Sequence, residues 1–370
     1  MISVDAALAA VLDLVSPLEV EEVPLREAHG RVLARSLKAT RSQPPFAASS
    51  MDGYALRQAE VEPDAMFKVV GEAAAGRGYT GTLRAGQAVR IFTGAPLPEG
   101  ADFIVIQEDV TRRGDLITLG HSIDDKDNIR PAGGDFTTGD SFEAPRRLRP
   151  QDIALLAAMN HARIPVTRRP VVAILATGDE LVQPGETPGP DQIIASNSYG
   201  LAAMLEDAGA EARMLPIARD TEASLKQAFA LAAGADLIVT IGGASVGDHD
   251  LVAPVAAELG LEQSFYKVAM RPGKPLMAGR LGSSAMIGLP GNPVSAMVCG
   301  AVFVLPMLRR LLGMDSVHDQ GFEAPLGRDL GPNGPRAHYM RATLRGGKVF
   351  PDDRQDSSLL SVLSTSDALM

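Results

Sequence analysis

Glycines and charged side chains follow each predicted strand in the second half of the chain, where they could bind an anionic ligand. The segments are residues 177–181 (Thr-Gly-Asp-Glu-Leu), 219–220 (Arg-Asp), 242–250 (Gly-Gly-Ala-Ser-Val-Gly-Asp-His-Asp), 271–275 (Arg-Pro-Gly-Lys-Pro) and 290–293 (Pro-Gly-Asn-Pro). In open α/β sheets, ligands bind outside the carboxyl ends of the strands, because helix N-termini and free backbone N–H groups converge there. These segments therefore predict a site for a phosphate-bearing ligand at one edge of an α/β sheet.

Carboxylates are dense in these segments. The acidic residues are Asp179, Glu180, Asp220, Asp248 and Asp250. At a single sheet edge they would repel one another unless they shared a cation. Mg²⁺ suits such a site, because it takes one or two carboxylates together with phosphate oxygens and keeps several waters. We therefore predict that magnesium is bound among Asp179, Glu180, Asp220 and Asp250.

The anion itself requires positive groups and N–H donors. Lys267, Arg271 and Lys274 supply positive charge, and the turns at Thr177-Gly178 and Gly242-Gly243 supply backbone N–H groups. Each residue also has a structural explanation, since aspartates cap helices, glycines allow tight turns and a proline such as Pro293 starts helices. Their concentration at one edge favours the functional interpretation.

A serine hydrolase is an alternative, because residues 243–247 match the G-x-S-x-G motif around Ser245, and Asp315 and His318 follow in the order of such an enzyme. That motif requires a sharp turn directly from strand into helix. Here an extra glycine, Gly242, precedes the match and an acidic Asp-His-Asp follows it, so a loop that cradles phosphate, with Ser245 as a ligand contact, fits better.

The elements that position these segments have the pattern of βαβ units around a parallel sheet. We predict strands at residues 171–176, 212–217, 236–241, 263–268 and 285–289, and helices at residues 198–208, 222–233, 251–259 and 293–312. Residues 42–140 are dense in Gly and Pro and contain short β-like runs, whereas helices are predicted on either side, at 3–15 and 148–158.

These patterns predict four domains. Residues 1–41 and 141–168 form a helical platform, residues 42–140 a β-rich domain inserted into it, residues 169–312 a doubly wound, mostly parallel α/β domain, and residues 313–370 a small C-terminal β domain.

Composition restricts the function classes. At 370 residues the chain exceeds the roughly 250–300 residues at which one core stops growing. A net charge of −10 argues against a nucleic-acid-binding surface. The one cysteine, Cys299, lies in an apolar run and is expected to be a buried structural thiol, and the histidines lack metal-ligand spacing. No run of about 20 apolar residues and no signal peptide is found, so we expect a cytoplasmic protein that does not bind membranes.

Motifs along nearly the whole chain resemble the molybdopterin molybdenumtransferase family, which includes MoeA and the gephyrin E domain. They comprise residues 50–55 (Ser-Met-Asp-Gly-Tyr-Ala), 93–96 (Thr-Gly-Ala-Pro), 128–130 (Asn-Ile-Arg), 177–181, 242–247, 271–275 and 289–293. The resemblance implies a MogA-like α/β domain and the insertion of molybdate into adenylylated molybdopterin, with Mg²⁺ assistance and release of AMP. It also implies a homodimer, with the β-rich domain of one subunit facing the α/β domain of the other, and a molybdopterin adenylyltransferase as upstream donor.

The resemblance also assigns site residues by position. Catalytic roles are implied for Asp52, Thr93, Glu180, Asp220 and Asp250. Substrate contacts are implied for Arg130, Asp135, Thr177, Gly178, Gly242, Gly243, Ser245, Lys267, Arg271, Lys274, Pro290 and Pro293.

Two departures and two rivals accompany the resemblance. Arg271 stands where some members have lysine, and the chain ends at Met370 where relatives continue into further strands, so the C-terminal domain is expected to be shortened. A single-domain molybdopterin adenylyltransferase shares the α/β fold but lacks the segments around Asp52 and Thr93. A non-catalytic scaffold is disfavoured because the chain has no long linker.

Overall fold

The computed structural model describes residues 1–243, 251–314 and 321–370, and within them the buried apolar side chains form separate cores. One core lies wholly within the β-rich block, between Tyr54 and Leu119, and another joins the two platform segments, from Val23 to Val166. Two further cores cover opposite faces of the α/β sheet, since alternate strand residues such as Ile174 and Leu175 belong to different cores. The chain is therefore a multi-domain protein.

The α/β domain is built on a six-stranded mixed sheet. In spatial order its strands are Glu211–Met214, Val171–Ala176, Leu237–Ile241, Ser284–Leu289, Met277–Leu281 and Glu262–Tyr266. The first four run parallel, the fifth is antiparallel to the fourth, and the sixth is antiparallel to the fifth. The sixth strand thus runs in the direction of the first four, and the segment after it reaches the same carboxyl edge.

The strand Met277–Leu281 has no counterpart among the predicted strands. Its sequence, Met-Ala-Gly-Arg-Leu, lacks β-branched residues and contains a glycine, Gly279. Gly279 lies so close to the backbone of Glu262 and Gln263 that no side chain would fit there. The strand forms because a tight hairpin pairs it with Ser284–Leu289. The parallel sheet inferred from the sequence is therefore mixed at this side.

The helices of this domain are Asn197–Asp207, Glu222–Leu231, Val252–Glu258 and the continuous element Pro293–Leu311, whose middle part, Gly300–Val304, is π-helical. Each lies close to its predicted range. By length and hydropathy, Pro293–Leu311 is the one helix of the described residues that could cross a membrane, but 67% of its apolar window is buried inside the protein. It packs in the sheet core through residues such as Phe303 and Leu308, as expected of a core helix.

The β-rich block forms a six-stranded sheet. Its strands, in spatial order, are Phe103–Ile106, Gly53–Leu56, Gln87–Ile91, Met66–Ala73, Leu116–Leu119 and Val110–Arg113. A separate two-stranded pair joins Ala48–Ser49 to Ile129–Arg130.

The platform differs from the helical domain predicted from the sequence, because a four-stranded antiparallel sheet forms much of it. The strands are Val20–Pro24, Arg163–Thr167, Val32–Leu33 and Arg146–Arg147. One helix, Pro150–Ala158, packs in the platform core, whereas the other, Val4–Leu12, buries Ala7 and Val11 in the core of the α/β domain. The sheet pairs segments more than a hundred residues apart, which local sequence patterns do not reveal.

The C-terminal domain is attached to the carboxyl edge of the α/β domain. Its elements are the strands Ala337–His338, Arg341–Arg345, Lys348–Pro351 and Ala368–Leu369 and the helix Leu360–Ser364. The first of these strands pairs in parallel with Met270–Arg271, within the segment that follows the sixth sheet strand. The C-terminal domain therefore contributes to whatever site lies at this edge.

Candidate functional site

A cavity of about 690 Å³ lies at the carboxyl edge of the α/β sheet, within the size range of small-molecule sites. We call it the large cavity; its lining is Ala176, Thr177, Gly178, Glu180, Leu181, residues 193–198, Asp220, Ile241, Gly242, Gly243, Pro275, residues 290–293 and Ser358. The ends of three parallel strands and the starts of two helices meet here. The structure therefore brings together most residues predicted for this edge, including both prolines, Pro290 and Pro293.

Two glycines allow the loops at the base of the large cavity to approach one another. Gly242 has a φ of +88°, and a Cβ there would lie 2.9 Å from the carbonyl oxygen of Thr177. Gly178 has a φ of +147°, and its N–H donates a hydrogen bond of 3.1 Å to the Ala218 carbonyl. A side chain at Gly242 would push this loop away from the loop at Thr177 and Gly178, so the close approach of the two loops requires glycine.

Acidic side chains occupy one wall. Glu180 and Asp220 line the large cavity, whereas Asp179 accepts a 3.3 Å hydrogen bond on Oδ1 from the Asp220 N–H and so joins the two loops. Arg219 reinforces this junction by donating to the Asp179 carbonyl at 2.9 Å. In the described ranges, no group of three or more His, Cys, Asp or Glu side chains could hold a metal ion by itself.

Five residues of the sequence hypotheses cannot be placed. Ser245 and Asp250, predicted as a ligand contact and a magnesium ligand, lie outside the described residues, as do Asp248 of the predicted acidic cluster and Asp315 and His318 of the hydrolase alternative.

An apolar wall of the large cavity adjoins the acidic one and was not predicted from the sequence. Ile193 and Ile194 pair in parallel with Leu181–Val182 and remain 58% and 38% exposed. Asn197, at the start of the following helix, fixes this wall by donating from Nδ2 to the Gly291 carbonyl at 2.7 Å. The sequence shows only two adjacent isoleucines, Ile193 and Ile194, in a loop rich in Gly and Pro. The fold is needed to show that both are exposed and line a cavity.

A smaller cavity of about 280 Å³ adjoins the large one, since Pro275 and Asn292 line both. We call it the small cavity. It is lined by residues 270–275, Asn292, Ser295, Arg336 and residues 355–357. Three cationic side chains, Arg271, Lys274 and Arg336, border it, and it lies between the α/β and C-terminal domains. The small cavity can therefore hold a small anion.

Arg336 and Ser357 were not among the predicted site residues, because both lie in a C-terminal segment whose position beside residues 271–275 is a tertiary feature. The cationic surroundings also affect His338. Burial, followed by the charges of Arg271, Arg341 and Arg336, lowers the pKa of this imidazole below its ordinary value.

Lys267, a predicted substrate contact, lines neither cavity. Its backbone has a φ of +69° and its Nζ lies 5.1 Å from the centre of the Tyr266 ring. Its backbone carbonyl accepts a hydrogen bond from the N–H of Ile2 at 3.2 Å.

Asp52 and Thr93, predicted to share one wall of the β-rich block, are in direct contact. Asp52 Oδ1 accepts hydrogen bonds from the backbone N–H and the hydroxyl of Thr93, both at 2.8 Å. Both bonds lower the pKa of the Asp52 carboxyl, and the backbone N–H bond has the larger effect. The pair therefore forms a fixed anionic group on the surface of the β-rich block.

The β-rich block contributes nothing to either cavity of its own chain. Asp52, Thr93, Arg130 and Asp135 are absent from the linings of both, and Arg130 and Asp135 are exposed. Of the predicted catalytic residues that the structure describes, Glu180 and Asp220 line the large cavity, whereas Asp52 and Thr93 line neither cavity.

Cys299 is buried beneath residues 271–275, with Sγ 4.0 Å from the Gly273 carbonyl oxygen. Burial raises the pKa of this thiol far above its ordinary value, so it stays protonated and inert. The prediction of a structural thiol is confirmed.

The fold and the cavities define a multi-domain α/β protein with two adjoining cavities at the carboxyl edge of its sheet, and comparison with known proteins makes this class specific. Residues 2–160 match the MoeA N-terminal region (domain I and II), residues 173–310 a probable molybdopterin binding domain, and residues 323–370 the MoeA C-terminal region (domain IV). The chain belongs to the molybdopterin molybdenumtransferase family, as the motifs indicated.

Individual relatives agree over most of the chain. The molybdopterin molybdenumtransferase of Haemophilus influenzae is 36% identical over 317 residues, which cover 85% of this chain and 78% of the relative. That of Bacillus subtilis is 33% identical over 384 residues, covering 99% and 88%. The crystal structure of the molybdopterin biosynthesis MoeA protein from Pyrococcus horikosii superposes with a TM-score of 0.83 at 29% identity, covering 100% of this chain and 94% of that one.

Proposed function

We propose that this chain is a molybdopterin molybdenumtransferase, which inserts molybdate into adenylylated molybdopterin and releases AMP. The observation that carries the proposal is the pair of adjoining cavities in a chain related to this family along its whole length. A transferase that joins a small oxyanion to a large nucleotide-bearing ligand needs two subsites of unequal size in contact.

The small cavity supports binding of the oxyanion. Molybdate is a tetrahedral dianion, and the chain as a whole carries a net charge of −10, which repels it. Arg271, Lys274 and Arg336 provide local positive charge at the small cavity, and the guanidinium groups can each donate two parallel hydrogen bonds to an oxyanion.

The large cavity supports binding of the adenylylated pterin. Ile193 and Ile194 offer an apolar surface to a flat ring system, whereas Gly243, which has no side chain, lets phosphate oxygens approach the backbone. Because the two cavities share Pro275 and Asn292, a ligand in the large cavity can meet an oxyanion in the small one.

Residues of the large cavity also fit a magnesium ion. Glu180 and Asp220 place two carboxylates on one wall, which matches the one or two carboxylates that Mg²⁺ takes beside phosphate oxygens. When bound, Mg²⁺ offsets the negative charge that develops on the leaving phosphate. Asp179, through its bond to the Asp220 N–H, holds the Asp220 loop in place.

We further propose that the working enzyme is a homodimer whose sites combine two chains. The Asp52–Thr93 pair is ordered and anionic, yet lies away from both cavities of its own chain. In a homodimer, the β-rich block of one subunit would bring Asp52 to the large cavity of the other. A cytoplasmic location and a molybdopterin adenylyltransferase as upstream donor belong to the same proposal.

The family regions at residues 2–160 and 323–370 disfavour the rival single-domain adenylyltransferase, which would need only the α/β domain. A steady-state kinetic experiment tests the oxyanion subsite. Arg271→Met should raise the KM for molybdate about tenfold or more, the usual effect of losing a charge-assisted hydrogen bond, with a smaller change in KM for adenylylated molybdopterin.

Arg345→Met is the matched control, because Arg345 is exposed and lines neither cavity, yet its loss changes the net charge equally. Equal KM values for molybdate in the two variants would show that the small cavity is not the oxyanion subsite.

A further inference from the structure

Arg341 is a fully buried arginine whose hydrogen bonds go to backbone carbonyls. The residue has 0% exposure, and Nη2 donates to the carbonyls of Asp356 at 3.0 Å and Arg354 at 3.4 Å. Its Nε and Nη1 have no hydrogen-bond partner in the described part of the chain. Burying a guanidinium with unsatisfied donors costs stability, so packing alone does not account for it.

The two carbonyls that Arg341 binds belong to a segment lining both cavities. Gln355, Asp356 and Ser357 line the small cavity, and Ser358 lines the large one. The segment is also held from other sides: the Ser357 carbonyl accepts from Val294 N–H at 3.0 Å, and the Gln355 side chain bonds the backbone N–H and carbonyl of Arg341 at 3.0 and 2.9 Å. Residues 354–358 are thus a rigid wall.

Peptide geometry fixes where the N–H groups of this wall point. In a planar trans peptide the N–H is directed opposite to the C=O. The carbonyls of Arg354 and Asp356 point toward Arg341, so the N–H groups of Gln355 and Ser357 in the same peptide units point away from it. In the described residues neither N–H donates a hydrogen bond, and both residues line the small cavity.

We propose that Arg341 is a positioning residue that turns the N–H groups of Gln355 and Ser357 toward an oxyanion in the small cavity. This inference rests on the proposed function, since the oxyanion is molybdate. Arg341 acts on the ligand through the backbone, from behind the wall, while Arg271, Lys274 and Arg336 act on it directly.

The test is titration of the purified full chain with sodium molybdate, followed by calorimetry, in wild type and in Arg341→Met. Methionine fills similar space but has no charge and no donors. Loss of alignment of two N–H donors should weaken molybdate binding by roughly 10- to 100-fold. Thermal stability should change little or rise, because an incompletely paired buried charge is removed.

Arg31→Met is the matched control. Arg31 is also buried, with 9% exposure, and its Nη2 donates to the Thr167 carbonyl at 3.0 Å, in the platform far along the chain from the small cavity. It should bind molybdate with wild-type affinity. Arg341→Lys retains the charge and can donate to one of the two carbonyls, so it should bind molybdate with intermediate affinity. This variant replaces Arg341→Met in the test if the methionine variant does not fold.

Nuclear magnetic resonance gives a second, direct measurement on the backbone N–H groups of Gln355 and Ser357. In ¹⁵N-labelled wild type, molybdate should shift the amide resonances of Gln355 and Ser357, and these shifts should be reduced in Arg341→Lys. Wild-type molybdate affinity in a folded Arg341 variant, or unshifted amides in wild type at saturation, would overturn the positioning role alone. Failure of wild type to bind molybdate at all would overturn the proposed function with it.

Discussion

Gly242 lies where the third strand of the sheet enters the base of the large cavity, and its replacement by alanine gives a prediction of defined size. Its φ of +88° is unfavourable for alanine, and the added Cβ would lie 2.9 Å from the Thr177 carbonyl oxygen, a backbone atom that cannot rotate away. The same substitution at Gly234, which has a φ of +77° and nothing within 4 Å of the added Cβ, is a control for the backbone strain alone.

The two costs can be separated. Left-handed backbone costs alanine about 1–2 kcal/mol, and the loss of glycine's freedom in the unfolded chain returns about 0.4–1 kcal/mol. Gly234→Ala should therefore lower the free energy of unfolding by about 1 kcal/mol or less. At Gly242 the forced separation of two loops adds about 1–3 kcal/mol, the usual cost of overpacking, for a total of about 1–4 kcal/mol.

Urea unfolding followed by circular dichroism measures both losses in the same domain. Gly242→Ala should also raise the KM for adenylylated molybdopterin under conditions where it is folded, because the loops that line the large cavity move apart. Equal losses of stability in the two variants, with an unchanged KM, would refute the claim that close approach of the loops shapes the site.

Two further predictions concern a domain junction and the assembly. Asp236, which accepts two 2.8 Å bonds from Arg168 and one of 2.7 Å from Val171 N–H, should stabilise the junction between platform and α/β domain. Asp236→Asn should lower the free energy of unfolding by about 2 kcal/mol, between the values for exposed and buried pairs. Burial alone would raise the pKa of the Asp236 carboxyl, but the hydrogen bonds from Arg168 and Val171 and the charge of Arg168 together lower this pKa below its ordinary value of 3.8. The ionised carboxylate therefore contributes its full stabilisation above the ordinary pKa, and this contribution is lost as the pH falls through the lowered pKa. Urea midpoints of wild type and variant should therefore converge below about pH 4; a gap that is independent of pH would contradict this. For the assembly, co-expressed Asp52→Ala and Asp220→Ala chains should regain activity that neither has alone, because a shared-site heterodimer contains one intact site. An inactive, verified heterodimer would place each site within one chain.

The sequence predicted the parallel part of the sheet and its helices well, because buried strands and amphipathic helices are local patterns of hydrophobic residues. It also predicted the carboxyl-edge residues of the large cavity, since βαβ connectivity dictates where strand ends meet. The platform sheet was missed because its pairing is between distant segments. The small cavity was missed in part for the same reason, as Arg336 and Ser357 reach it only through the docking of the C-terminal domain.

Lys267 illustrates the limit of counting charges along the chain. It follows a sheet strand, as the other basic residues do, but it lines neither cavity. Its backbone is left-handed and its Nζ lies 5.1 Å from the centre of the Tyr266 ring. Asp179 was predicted as a magnesium ligand from its place among the carboxylates at the sheet edge, and in the structure its Oδ1 accepts a hydrogen bond from the Asp220 N–H. For both residues the sequence indicated the chemistry, whereas these contacts are tertiary features that the sequence does not show.

Incubation of the purified protein with molybdate and adenylylated molybdopterin, followed by measurement of AMP, tests directly whether this chain joins the two. AMP should appear only when molybdate and Mg²⁺ are both present, in step with formation of active molybdenum cofactor, and excess chelator should stop it. Undiminished AMP release without molybdate would contradict the molybdenumtransferase activity. AMP release that persists in excess chelator would show that the reaction does not need magnesium.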